Sequence, residues 1–251
     1  MIKSPCHGQT CYVKSPAYTR PPPPCGLTLI GALNHRIQQF NVRTGNSVKS
    51  FGKKGTGDGE FQDPVSVCVD EEGRVIVADF YNNRIQVLSQ DGEPLFKFGD
   101  RGPEILNNPT ACIYHENKFI ISDWDSDCLK VFDNTGKFLY KIGEPGEGDG
   151  QLDGPWGLCV QKCRDHHNLL VCNAGNGPFQ FTVEGCFTGK TVYKLQDAIG
   201  ITTTPGGLIL VTDCKTKKIH ILKSNIVAPD WKTKQNIHPE IRTTKKENSE
   251  G

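Results

Sequence analysis

Between residues 51 and 99 the chain alternates short apolar runs with turn residues. Residues 65–69 are closed by Glu72-Gly73, and residues 75–78 by the polar run 79–83. Residues 85–88 are closed by Gln90-Asp91-Gly92, and residues 95–98 by Gly99. Apolar runs of this length, bounded by Gly, Asn and Asp, predict an antiparallel meander of four strands. The unit recurs from Phe98, from Ile142 and, in worn form, across residues 195–223. Pro64, Pro109 and Pro155 mark the copies at a period of about 45. The second strands end alike, at Val77-Ala78-Asp79, Ile121-Ser122-Asp123, Val171-Cys172-Asn173 and Val211-Thr212-Asp213. Four strands at such a period predict an all-β fold, with each copy one blade of a β-propeller. A single blade cannot bury both of its faces, so neighbouring blades must stack.

The details of the repeat carry a family resemblance. The unit at residues 51–99 reads as a Gly-rich linker, a Pro, an apolar strand, Asp-x-x-Gly, a strand ending Val-Ala-Asp, and then Asn83-Arg84-Ile85-Gln86-Val87. The linkers are Gly55-Thr56-Gly57-Asp58-Gly59-Glu60-Phe61 and Gly146-Glu147-Gly148-Asp149-Gly150-Gln151-Leu152. This pattern resembles the NHL repeat over residues 26–223, and most resembles the NHL domains of tripartite-motif proteins. The last copy departs by lacking both the Pro and the Gly-rich linker. The resemblance implies propeller blades and a recognition module. It also implies a link to substrate recognition in ubiquitin-ligase pathways, although this sequence carries no RING, B-box or coiled coil.

The repeat sets the expected boundaries. Residues 1–25, with Pro21-Pro22-Pro23-Pro24, are expected to be a disordered leader, and the charged residues 224–251 a mostly disordered tail. Blades are expected at about 26–50, 51–97, 98–141, 142–191 and 192–223. The first has no counterpart of the innermost strand, and Gly31-Ala32 stand where its second strand should end in Asp. Similar propellers usually have six blades, so the count of about five implies a truncated product, a smaller ring or an open arc. Residues 226–231 are a candidate strand to complete the first or last blade. Unpaired blade edges would favour self-association.

Composition narrows the function. A net charge of +1 with 23% charged residues gives no global attraction to nucleic acid or acidic membrane. No apolar run approaches a membrane span, and the N-terminus has no apolar core of a signal peptide, so a soluble, cytoplasmic protein without membrane association is expected. The 11 Cys do not read as a disulfide framework. Cys68, Cys112 and Cys159 hold equivalent places on successive first strands, and Cys172 replaces Ala78, so packing explains them. Cys159, Cys163, His166 and His167 have close Cys/His spacing, but Cys159 should point into the blade, so a turn is favoured over zinc. The Gly-Asp-Gly linkers lack a full set of alternating oxygen ligands for calcium. No metal and no cofactor are expected. No catalytic constellation emerges, and the chain is read as no enzyme. Some NHL-like propellers are metal-dependent lyases, which the resemblance keeps as a minor alternative.

In a meander, the second-to-third turns share a face with the inter-blade linkers. On that face lie Phe80, Tyr81, Arg84, Trp124, Lys215, Lys217 and Lys218, with Lys53, Lys54 and Arg101 from the linkers. Aromatic and cationic loop residues on a rigid scaffold suit a protein partner, or single-stranded RNA as the alternative. Each has a plainer reading as well. Asp79, Asp123 and Asp213 can bond the turn backbone, Arg84 and Arg36 can pack between blades, and Phe80 and Trp124 can pack blade against blade. The opposite face is mostly acidic turns and suits plain solvation.

Overall fold

The computed structural model describes residues 12–13, 26–31, 34–41, 43–163, 166–174, 176–191, 195–223 and 242–243. The fold is all-β and built of four-stranded antiparallel propeller blades. The chain divides into two compact units, residues 1–141 and 142–251.

The first unit holds three blades. One is built of Tyr12–Val13, Gly26–Gly31, Arg36–Asn41 and Ser47–Phe51. The next two are Pro64–Val69, Val75–Asp79, Arg84–Leu88, Pro94–Phe98, and Pro109–His115, Lys118–Asp123, Cys128–Asp133, Phe138–Ile142. The second unit holds Pro155–Lys162, His167–Asn173, Gly177–Thr182, Phe187–Lys190, and then Ala198–Thr203, Ile209–Asp213, Lys218–Leu222, Arg242–Thr243.

The sequence left the inner position of the first blade empty. A two-residue strand, Tyr12–Val13, fills it by pairing with Thr28 and Leu29. This strand comes from the expected leader. The outer edge of the last blade is taken by Arg242–Thr243, which pairs with Ile221 and His220. Residues 226–231, the strand candidate, lie outside the described residues.

The three prolines sit at equivalent ladder positions, opposite the residue that ends the second strand. The pairs are Pro64 with Asp79, Pro109 with Asp123 and Pro155 with Asn173. Ala198 faces Asp213 in the same way. In all four blades the register slips just after this residue. Proline has no N–H to give the ladder, so the break falls where the chain enters from the linker.

The second strands show why the sequence reads as continuous apolar runs. Val75–Asp79 is buried at every position. Ile76 and Ala78 pack with Cys112, Phe119 and Ile121 of the third blade, whereas Val75 and Val77 pack with Ile37 of the first. Successive side chains point to opposite sheet faces, and both faces are covered by neighbours. Each such side chain contributes about 1.5–3 kcal/mol of burial. In the second unit, Leu170 and Cys172 pack on Ile209 and Val211.

The linkers are tied to their own blades by a recurring ion pair. Lys97 meets Asp58 at 2.7 Å, Lys141 meets Glu104 at 2.8 Å and Lys190 meets Asp149 at 2.5 Å. In each pair a lysine of the fourth strand reaches an acid in the linker preceding its own blade. All three are partly exposed, so water screens them and each adds little.

Candidate interaction surface

The Asp or Asn that ends the second strand organises the turn on the linker side. Asp79 is fully buried and accepts from the Gln62 N–H at 2.7 Å, Asn82 Nδ2 at 2.8 Å and Gln86 Nε2 at 3.2 Å. It also pairs with Arg84 Nε at 2.9 Å. Arg84 then donates to the carbonyls of Thr56 at 2.7 Å, Gly57 at 2.9 Å and Glu60 at 2.8 Å. One side chain thus clamps the second-to-third turn to the Gly-rich linker. This confirms that the two share one face of the blade. It also corrects the reading of Arg84 as a contact residue: at 3% exposure its guanidinium is consumed inside the blade.

The device recurs with other partners. Asp123 accepts from the Asn107 N–H at 2.5 Å and pairs with Lys130 Nζ at 2.7 Å. Asn173 accepts from the Asp153 N–H at 2.7 Å. Asp213 accepts from the N–H groups of Gln196 and Thr216 at 3.1 and 3.0 Å. Burial pushes the Asp123 carboxyl above its usual range, against the pull of Lys130 and the Asn107 N–H. Burial also acts upward on Asp213, but the N–H groups of Thr216 and Gln196 outweigh it and hold that carboxyl below the usual range.

Behind Asp79 and Asp123 the chain makes one 3-10 turn, Phe80–Asn82 and Trp124–Ser126. Each is closed by a left-handed residue, Asn83 or Asp127. The turns are held to the linkers by Tyr81 N–H on the Gln62 carbonyl and Asp125 N–H on the Asn107 carbonyl, both at 3.1 Å. This fixes the aromatic rings. Phe80 is buried at 2% exposure, so it supports the surface instead of forming it, a second correction. Its ring lies 4.9 Å from Tyr81, edge-on, and 6.2 Å from Trp124. Tyr81 is 48% exposed and Trp124 half-buried. Phe80 therefore bridges two successive blades, with the exposed Tyr81 at one end and the half-buried Trp124 at the other.

The remaining candidates are exposed. Lys53 lies 3.1 Å from Glu60, Lys54 follows it, and Arg101 sits 3.9 Å from Asp100. Lys215, Lys217 and Lys218 are exposed in the second unit. Sequence reading missed Lys130 and Gln86. They stand in register in their third strands, but their residue types differ between blades.

The cysteines of the first and second strands pack in the cores. Cys68 and Cys112 lie in the core with sulfurs 3.9 Å apart, and the neighbouring thiol and burial push Cys68 well up. Burial pushes Cys159 up to about 12 and raises Cys172 as well. Such thiols stay protonated and are poor nucleophiles or metal ligands. Cys163 closes a turn through its N–H to the His166 carbonyl at 3.0 Å. No helix among the described residues is long and apolar enough to cross a membrane.

The comparisons agree with this architecture. The NHL repeat family model matches residues 61–88. Protein lin-41 of Caenorhabditis elegans is 52% identical over 50 residues, which is 20% of this chain and 4% of that protein. The E3 ubiquitin-protein ligase TRIM71 of Rattus norvegicus is 51% identical over 51 residues, 20% of this chain and 6% of that protein. Protein brain tumor of Drosophila melanogaster is 40% identical over 52 residues, covering 21% and 5%. The matched segments thus span only a small share of these relatives. Among solved structures, a virginiamycin B lyase from Staphylococcus aureus with quinupristin aligns with a TM-score of 0.61 at 18% identity, over 80% of this chain and 64% of that one. A streptogramin B lyase aligns at 0.63 and 14% identity, over 87% and 64%. At such identities these two speak for the fold alone. The chain carries an NHL repeat within a fold of β-propeller blades, and over about a fifth of its length it is similar to TRIM-NHL proteins.

Proposed function

We propose that the chain is a non-catalytic interaction module that binds a protein partner through the loop face around Tyr81 and Trp124. The observation that supports it most is the aromatic bridge. Two successive blades hold an exposed Tyr and a half-exposed Trp on one buried Phe, with the turn backbone locked by Asp79 and Asp123. Rigid, partly exposed aromatics are the residue types that anchor interfaces. Lys53, Lys54 and Arg101 would form a polar rim, and Lys215, Lys217 and Lys218 would supply a basic contact of the second unit. By similarity to a relative named as an E3 ubiquitin-protein ligase, the partner would be a substrate awaiting ubiquitin, with the ligase chemistry supplied elsewhere.

Affinity capture with and without ribonuclease, on the wild type and on a Tyr81→Ala/Trp124→Ala variant, tests this. The reading expects a partner retained after ribonuclease, with affinity reduced about tenfold or more in the variant. Salt dependence should be weak. If capture depends on RNA and falls steeply with salt, single-stranded RNA is the ligand instead.

A further inference from the structure

The linkers of the second and fourth blades fold alike, and that of the third does not. In the first two a short parallel ribbon forms, Lys53–Lys54 with Glu60–Phe61 and Glu144–Pro145 with Gln151–Leu152. Glu60 and Gln151 each accept a linker N–H, from Gly57 and Gly148, both at 2.9 Å. The third blade's linker, residues 99–108, is two residues shorter than residues 52–63 or 143–154 and pairs no ribbon among the described strands. Its anchor is nevertheless kept: Leu106 caps Gly99 as Phe61 caps Gly52.

Where the ribbon is missing, a cleft of about 330 Å³ opens between the second and third blades. Its floor is aromatic, with Phe98 and Phe132 at 4.9 Å and Phe138 at 5.7 Å from Phe132. Gly136 lets the turn above approach. A Cβ there would lie 2.7 Å from the Phe98 ring, and its φ of +85° is left-handed. Of the charges around the cleft, Lys97 is paired with Asp58 and Glu104 with Lys141. Arg101, with an 86% exposed side chain, and Lys137, also exposed, stand at the mouth beside the single acid Asp100. The ribbon that two linkers keep is given up here, where an aromatic hollow rimmed by cations is left, and that combination points to function over scaffolding.

We infer that this cleft binds a short extended peptide segment of a partner, in which an acidic residue stands beside a bulky apolar one. The apolar side chain enters over Phe98 and Phe138, and the carboxylate meets Arg101 and Lys137. Of its residues only Arg101 is shared with the rim of the Tyr81–Trp124 surface; Lys137 and the aromatic floor belong to the cleft.

Display of random heptapeptides against the full chain tests the inference. Enrichment of sequences with Asp or Glu within two positions of Phe, Leu or Met is expected, with binding of the enriched peptide followed by fluorescence anisotropy. Arg101→Glu/Lys137→Glu should weaken it about tenfold or more, whereas Lys162→Glu, an equivalent change on another blade, should not. Replacing residues 99–108 with the sequence of residues 52–63 should close the cleft and abolish binding, with the fold checked by circular dichroism. Failure to enrich such peptides overturns the proposal, as does equal binding to the double charge reversal. Anisotropy that responds to a labelled oligouridylate and not to any peptide assigns the cations to nucleic acid and overturns it too.

Discussion

Asp79 and Asp123 hold the same place in adjacent blades, yet their surroundings differ in a way that shows what the repeat constrains. Asp79 is paired with an arginine whose planar fork reaches three linker carbonyls. Gln86 adds to this by donating to the Glu60 carbonyl at 2.7 Å and accepting from the Gly59 N–H at 2.9 Å. Asp123 is paired with a lysine that reaches one linker carbonyl, that of Ile105, at 2.5 Å. Arginine can bridge an acid and several carbonyls at fixed angles, whereas lysine offers a point charge on a flexible stem. The long Gly-rich linker is stitched down by the first arrangement. The short linker needs fewer stitches and leaves the cleft beside it open. What recurs is therefore a buried side-chain oxygen, of Asp79, Asp123, Asn173 or Asp213, that receives a linker N–H; any counter-charge is free to vary with the linker.

The largest effects should come from removing the acids. Asp79→Ala leaves the Arg84 guanidinium buried without its carboxylate, and a loss of about 3–5 kcal/mol in urea denaturation at neutral pH is expected. Asp123→Ala should cost less, about 2–3 kcal/mol, because Lys130 keeps the Ile105 carbonyl and can bend toward Ser126, 3.4 Å away. Equal losses would mean that the two pockets are interchangeable. Arg84→Lys is the milder probe. It keeps the charge and loses the fork, at a cost of about 1–3 kcal/mol. Amide exchange should accelerate at residues 55–61 and stay unchanged at residues 99–108. Acceleration in both linkers would show that the clamp is not local.

Much of this frame was legible in the sequence. The period of Pro64, Pro109 and Pro155 returned as matched ladder positions because proline's missing N–H can be spared only where the ladder breaks. The acids that end the second strands were legible as turn bonders, since Asp accepts backbone N–H groups readily. The counter-charges were hidden, because Arg84 lies five residues after its acid and Lys130 seven, so the two fall in different columns of the repeat. A charged residue in an exposed-looking turn motif also reads as surface until its carbonyl partners are seen, which is how Arg84 came to stand beside Tyr81 as a contact candidate. The cleft was equally hidden. It arises from a two-residue shortening of one linker, and a deletion has no residue to mark it. Tyr12–Val13 escaped because two residues carry no periodicity.

The smallest effect separates the acids by pH. Asp123 has its folded pKa raised by burial, so in acid the folded state holds a proton that the unfolded chain has released. Its contribution is most favourable below the ordinary value of 3.8 and declines as pH rises through the window from 3.8 to the raised value. Asp213 runs the other way. Its folded pKa is lowered, so its contribution is present above 3.8 and is lost as pH falls toward the lowered value. Thermal melts of Asp123→Asn and Asp213→Asn against the wild type, from pH 3 to 7, isolate each term because other carboxylates cancel in the difference. The advantage of wild type over Asp123→Asn should shrink with rising pH, and that over Asp213→Asn should grow. Parallel differences would mean that the Asp123 carboxylate is as well solvated by donors as Asp213. The contrast in linker stitching would then carry no electrostatic consequence.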